Sequence, residues 1–176
     1  MDFARVFDEV ATFLETHGQP VAVVGGLALL GHGLPRTTFD LDLLTEASAR
    51  VGLVGFLAGL GYETLHASAG FSNHAHREPD RGRLDVVYVD PETAQQIIAA
   101  ATPRLALGSR VALVPRPEHL IAMKVQAMKN DPSRVPGDLA DVHLLLGLPG
   151  VDREEARGYF VRAGMGERFD ELIRSL

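Results

Sequence analysis

Cysteine and tryptophan are both missing from the 176 residues, and aromatic residues of all kinds make up only 6%. The first absence excludes disulfide scaffolds, cysteine-ligated zinc or iron–sulfur centres and thiol nucleophiles, and it fits a reducing compartment. The shortage of aromatics leaves little material for stacking nucleic-acid bases. Cations are not in excess either. The net charge is −6, opposite in sign to that of a general nucleic-acid binder. No apolar run reaches the length of a membrane span, and the opening Met1-Asp2-Phe3-Ala4-Arg5 lacks a signal-peptide core. A cytoplasmic protein with no membrane partner is the expectation.

The composition that remains is that of a folded domain. Hydrophobic residues at 46% and charged residues at 23% exclude a disordered chain, and the length suits one domain with a core of its own. Phe3, Val6, Phe7, Val10, Phe13 and Leu14 recur at helical spacing and predict a helix over 3–16. Val21-Ala22-Val23-Val24 reads as a buried strand stopping at Gly25-Gly26, followed by a short helix over Leu27–Leu30. Further strands are predicted over 37–44, from 61–65 and over 83–89. A helix is predicted over 48–60, and a loop or ragged hairpin over the His-rich stretch 66–82. Asp90 and Pro91 open a helix reaching Ala101, and 104–107 with 110–114 form a small hairpin. Beyond Pro117 the pattern is helical, over about 117–129, 138–146, 152–163 and 166–175. No repeat or flexible linker interrupts the chain. These elements predict one α+β domain over 1–176: a mixed β-sheet flanked by helices over about 1–115, then a helical C-terminal extension over about 117–176.

Chemistry concentrates in Val24-Gly25-Gly26 and, on the next strand, Asp40-Leu41-Asp42. Residues two apart on a strand share a face, so Thr38, Asp40 and Asp42 point one way while Phe39, Leu41 and Leu43 point into the core. Two carboxylates about 7 Å apart repel each other, and a hard cation bound through oxygen relieves the repulsion. Arg83-Leu84-Asp85-Val86 supplies a third carboxylate, Asp85. If the strands are neighbours, three carboxylates converge as a two-metal phosphoryl-transfer site requires. Gly25 and Gly26 end a strand where a helix begins, which lets backbone approach a phosphate closely. Together these features suit a nucleoside triphosphate bound with Mg²⁺ or Mn²⁺. Asp40, Asp42 and Asp85 are the candidate metal ligands, and Gly25, Gly26, Arg36 and Thr38 the candidate phosphate contacts.

This pattern resembles the nucleotidyltransferases of the DNA polymerase β superfamily, whose signature is a Gly-Gly or Gly-Ser turn followed by Asp-x-Asp. Gly25-Gly26-Leu27-Ala28-Leu29 with Arg36-Thr37-Thr38-Phe39-Asp40-Leu41-Asp42-Leu43 is more closely similar to the AbiEii-like group, which includes toxins of abortive-infection and toxin–antitoxin systems. Lys124-Val125-Gln126-Ala127 and Asp138-Leu139-Ala140-Asp141-Val142 match that group's Lys-x-x-Ala and Asp-x-x-Asp segments, so the resemblance spans roughly 20–146. One departure stands out. The arginine usual soon after Lys-x-x-Ala is replaced by Met128-Lys129-Asn130-Asp131-Pro132, with Arg134 displaced. The resemblance implies transfer of NMP from an NTP to an acceptor hydroxyl, with RNA or tRNA as acceptor and a cognate antitoxin as partner. It also implies nucleotide contacts from Lys124, Asp138 and Asp141.

Plainer readings stand beside these. Lys124 among Leu120, Ile121, Met123 and Met128 suits a snorkelling lysine, Asp138 after Gly137 suits a helix cap, and Asp141 suits a pair with Lys124 or Lys129. His66, His74 and His76 read as solvated rather than as metal ligands, and His32 as structural. Arg104, Arg110, Arg116, Lys124, Lys129 and Arg134, against only Glu118 and Asp131, form a basic stretch that suits a polyanion or a scatter of surface charges. A non-catalytic Mg-NTP-binding module, or a transferase acting on a small molecule or protein, fits the same residues.

Overall fold

Asp2 opens the first helix by accepting a hydrogen bond from the Arg5 amide, and α1 (Phe3–Thr16) buries Val6, Phe7, Val10, Ala11 and Leu14 along one stripe. The computed structural model describes residues 1–174 and divides the chain into two compact units, Met1–Pro115 and Arg116 onward.

In the first unit, β1 (Val21–Val23), β2 (Asp40–Glu46), β3 (Glu63–Ala67), β4 (Phe71–Ala75) and β5 (Arg83–Val89) form one sheet in the order β1-β2-β5-β4-β3. The sheet is mixed: β2 runs parallel to β5, and every other neighbouring pair is antiparallel. The parallel register sets Asp42 directly opposite Asp85 and Asp40 opposite Arg83. Side chains alternate as the pleat requires. Leu41, Leu43, Leu84, Val86 and Tyr88 enter the core shared with α1 and with Leu53 and Leu57 of α3 (Arg50–Gly59). Asp40, Asp42 and Asp85 occupy the opposite face, each partly exposed. The short α2 (Gly25–Gly31) follows β1, and α4 (Pro91–Ala99) starts at Asp90, whose carboxylate accepts from the Thr93 amide. β6 (Thr102–Leu107) and β7 (Arg110–Val114) pair as the predicted hairpin.

The second unit contains α5 (Pro117–Asn130), α6 (Val135–Leu146), α7 (Arg153–Arg162) and α8 (Gly166–Ile173), with a 3₁₀ turn at Pro132–Arg134. Phe160 and Phe169 pack ring to ring, with centroids 5.4 Å apart, and join α7 to α8. The last predicted helix extended to Ser175, which lies outside the described residues.

Several boundaries differ from expectation. Strand β2 starts at Asp40 rather than Thr37, because its neighbour β5 offers no residue before Arg83 to pair with. Phe39 is therefore not a core residue: it precedes the alternation and is 81% exposed. The helix after β1 begins at Gly25, not Leu27, and helix 48–60 resolves into a 3₁₀ turn at Ala47–Ala49 and α3. The ragged stretch 66–82 contains β4, and the β3–β4 hairpin has a register irregularity between Thr64 and His66. Helix α6 starts three residues early, at Val135. Asp138 thus lies within its first turn and is not its cap.

Candidate active site

Three carboxylates converge on the sheet face that points away from α1 and α3. Asp40 and Asp42 come from β2 and Asp85 from β5, and each offers an oxygen within 4.8 Å of the others. The cause is local: i and i+2 on one strand share a face, and parallel pairing without stagger brings Asp85 beside Asp42. At an effective dielectric of about 20, like charges this close repel by about 3 kcal/mol per pair before solvent screening. The oxygen-only donor set is that of a hard divalent cation.

The glycine turn abuts this cluster. The Val24 amide donates to the Asp42 carbonyl at 2.9 Å, tying the end of β1 to the middle of the triad. Gly25 has φ +61°, and a β-carbon there would lie 2.0 Å from Asp42 Oδ2. A β-carbon on Gly26 would lie 2.7 Å from that of Thr38. Both positions therefore exclude any side chain, and the first also needs a left-handed backbone. Thr38 stands outside β2, yet its hydroxyl donates to Asp40 Oδ1 at 2.7 Å and orients that carboxylate. Arg36 sits in the exposed segment leading to Thr38 and carries an interaction of its own.

Two residues of this face escaped the sequence reading. Asn73 of β4 lies opposite Asp85 and donates its side-chain amide to Asp85 Oδ1. Arg83, two residues before Asp85 on β5, donates to Asn73 Oδ1 at 3.4 Å. The period of β5 was enough to place Arg83 beside Asp85. Asn73 requires the register of β4, which lies in the stretch that reads as a loop or ragged hairpin.

The second unit holds Lys124, Asp138 and Asp141 together. Lys124 Nζ donates to Asp138 Oδ1 at 3.1 Å and to Asp141 Oδ2 at 2.6 Å, and Arg134 Nε donates to Asp138 Oδ2 at 3.0 Å. Both carboxylates are buried. The ammonium is thus neutralised inside this unit, and the displaced Arg134 serves the same cluster.

The basic stretch is largely paired as well. Within the first unit Arg110 binds Asp8 and Glu15 of α1, and within the second Arg116 binds Glu155. Tyr159, whose hydroxyl donates to Glu155 Oε1 at 2.7 Å, is pushed up to about 12, with burial the largest cause.

The histidines do not form a metal site among the described residues. His66 is exposed, but His74 is fully buried, contrary to a solvated role. Its ring contacts Thr64 Oγ1 at 3.1 Å and Ser72 Oγ at 2.8 Å, and burial lowers its pKa. His76 Nε2 contacts the Leu60 carbonyl at 3.2 Å, and His32 Nε2 that of Pro115 at 2.8 Å.

No protein-family model and no curated protein matches the chain. Solved structures do. The antibiotic-resistance factor ANT(2'')-Ia is 16% identical, with 99% of this chain covering 94% of that one at a TM-score of 0.57. The lincosamide antibiotic adenylyltransferase LnuA is 15% identical, with 81% of this chain covering 96% of that one at 0.56. An antigenic nucleotidyltransferase-like protein from Paracoccidioides brasiliensis is 17% identical, with 98% and 92% covered at 0.55. These likenesses establish the fold: an α+β nucleotidyltransferase fold of the polymerase β-like kind. No helix among the described residues is long and apolar enough to cross a membrane.

Proposed function

We propose that the protein is a nucleotidyltransferase that moves NMP from an NTP, taken up with Mg²⁺ or Mn²⁺, to an acceptor hydroxyl and releases pyrophosphate. The observation that carries this reading is the convergence of Asp40, Asp42 and Asp85 within 4.8 Å, beside a glycine turn with no room for a side chain. The donor set fits the cation, since three partly exposed carboxylates offer only oxygen and repel one another without it. A divalent cation there supplies Lewis acidity toward the α-phosphate and neutralises the charge that builds up on the leaving group.

The chain's own residues do the rest. Asp40, oriented by Thr38, and Asp42, backed by the glycine turn, hold the ligand oxygens in place. Gly25 and Gly26 admit the β- and γ-phosphates against the backbone, and Arg36 offsets charge on the departing pyrophosphate. Asp85 takes the proton of the acceptor hydroxyl. The bond from the acceptor oxygen to the α-phosphorus then forms as the bond to the bridging oxygen of pyrophosphate breaks. Lys124, Asp138 and Asp141 enter as nucleotide contacts only through the AbiEii-like resemblance, because Lys124 is already held by two carboxylates.

That resemblance argues for RNA or tRNA as acceptor and for a toxin with a cognate antitoxin, while the lack of a signal-peptide core argues for a cytoplasmic location. A small-molecule acceptor is the second reading. It is favoured by the likeness to ANT(2'')-Ia and LnuA, which are named for action on antibiotics. The test incubates the protein with Mg²⁺ and each NTP labelled at the α-phosphate, offering total RNA or a panel of polyhydroxylated small molecules. Label transferred to one acceptor class, with pyrophosphate released, is the expected result. Asp42→Ala should lower it by at least ~100-fold, the scale of losing a group that acts on the reacting centre. NTP binding without pyrophosphate release from any acceptor would leave only the Mg-NTP-binding module.

A further inference from the structure

Beyond the triad, the neighbouring strand contributes to the same face. We infer that Asn73 is a positioning residue for Asp85, itself held by Arg83, so that a guanidinium–amide–carboxylate chain fixes the third carboxylate of the site. The inference rests on the nucleotidyl-transfer reading and extends it to β4 and β5.

Three observations carry it. First, β4 and β5 are antiparallel and place Asn73 directly opposite Asp85, so the two side chains rise from one face at the closest approach a sheet allows. Second, the chemistry of the chain permits a single orientation. A carboxylate only accepts and a guanidinium only donates, so the amide nitrogen must face Asp85 and the amide oxygen Arg83, as they do. Third, Asn73 is only 9% exposed. Asparagine is a poor strand residue, and burying an amide is costly unless its hydrogen bonds are made. The two bonds that offset this cost both go to residues of the site face.

The consequence for Asp85 is geometric. The terminal torsion of an aspartate is broad and roughly two-fold, so an unsupported carboxylate samples many orientations. With Oδ1 engaged by Asn73, the plane of the carboxylate is set. Arg83 restrains the amide in turn, and it also places a cation across the parallel pair from Asp40. Groups that orient ligating carboxylates in this way typically change metal affinity or turnover by about 10–100-fold when removed.

The test uses the full chain and Mn²⁺ as the probe. Mn²⁺ binding is titrated by electron paramagnetic resonance, and steady-state nucleotidyl transfer is measured alongside. Wild type is compared with Asn73→Ala, Asn73→Val and Asp85→Ala. Asn73→Val keeps a strand-favouring side chain, so it remains folded and informative should Asn73→Ala fail to fold. The expected result is Mn²⁺ affinity about 10–100-fold weaker in the folded Asn73 variants, with kcat lowered by a similar factor and KM for the NTP within about threefold of wild type. Folded Asn73→Val with wild-type Mn²⁺ affinity and wild-type kcat overturns the inference. In that case Asp85→Ala still loses Mn²⁺ and transfer, and the underlying reading survives. Wild type that binds no Mn²⁺ overturns the underlying reading and the inference with it.

Discussion

Gly25 carries two constraints at once, and the pair makes it the most demanding single position of the site. Its φ of +61° disfavours any L side chain by about 1–2 kcal/mol, and a β-carbon would lie 2.0 Å from Asp42 Oδ2. Gly25→Ala should therefore lose about that much stability in a denaturant melt. It should also lose ~100-fold or more in pyrophosphate release, the scale expected when a reacting group is displaced by about 1 Å. Gly55 is the internal comparison: it is exposed within α3, and nothing lies within 4 Å of an added β-carbon. Gly55→Ala should gain about 0.5–1 kcal/mol and keep full turnover. Retained turnover in Gly25→Ala would show that its contact with Asp42 is not needed. At this scale much was legible. Two aspartates at i and i+2 and a third on a later strand were read from the pattern, and the structure brings them together. Asn73 was not legible, because its place depends on which strand lies beside β5 and in what register, and neither is encoded locally.

Elements were read best where local chemistry and periodicity agreed. Helix α1 and strand β5 run over the residues expected of them, and Asp90 caps α4 as its sequence signal required. They were misread where a neighbour decides. Thr37 and Thr38 are good strand residues, but β5 gives them no partner, and the Thr38 hydroxyl bonds to the Asp40 carbonyl and carboxylate instead. In β4, Ser72 and His74 look like a solvated face, yet the sheet turns them inward, where Thr64 and Tyr88 complete their hydrogen bonds. Burial of His74 has a measurable consequence. Its pKa is lowered from the ordinary 6.5, so above that pH it is neutral in both folded and unfolded states. Below it the unfolded histidine takes up a proton that the folded one resists, and stability falls as pH drops toward the lowered value, by at most about 1.4 kcal/mol per pH unit. His119 in the second unit is lowered too and adds to the fall with the same sign. The melting temperature of wild type should thus drop between about pH 7.5 and about pH 5.5, and His74→Gln should drop less over that interval. Equal drops would show that His74 contributes nothing to the acid sensitivity.

At the scale of the whole molecule, charge links the site to stability. The chain carries a net charge of −6 and gathers three acids within 4.8 Å on one sheet face. Within the first unit Arg110 is bound to α1, and within the second Lys124 and Arg116 are engaged by acids. Like charges this close oppose folding, and a divalent cation bound among them would relieve that repulsion. Asp42→Asn removes one of the mutually repelling charges while preserving shape. In a chelator it should melt at the same temperature as wild type or higher, the reverse of what removing a structural residue does. With Mn²⁺ and NTP at ~100 times their dissociation constant, wild type should gain about 2.7 kcal/mol by mass action, and the variant little. The two curves should cross. Thermal melts of both proteins, with chelator and with Mn²⁺ plus NTP, decide the point. A variant less stable than wild type in chelator would mean that Asp42 is held mainly by its protein partners. A variant stabilised as much as wild type would place the ligand away from the triad. Only the crossing assigns the cost of the acidic cluster to a bound ligand.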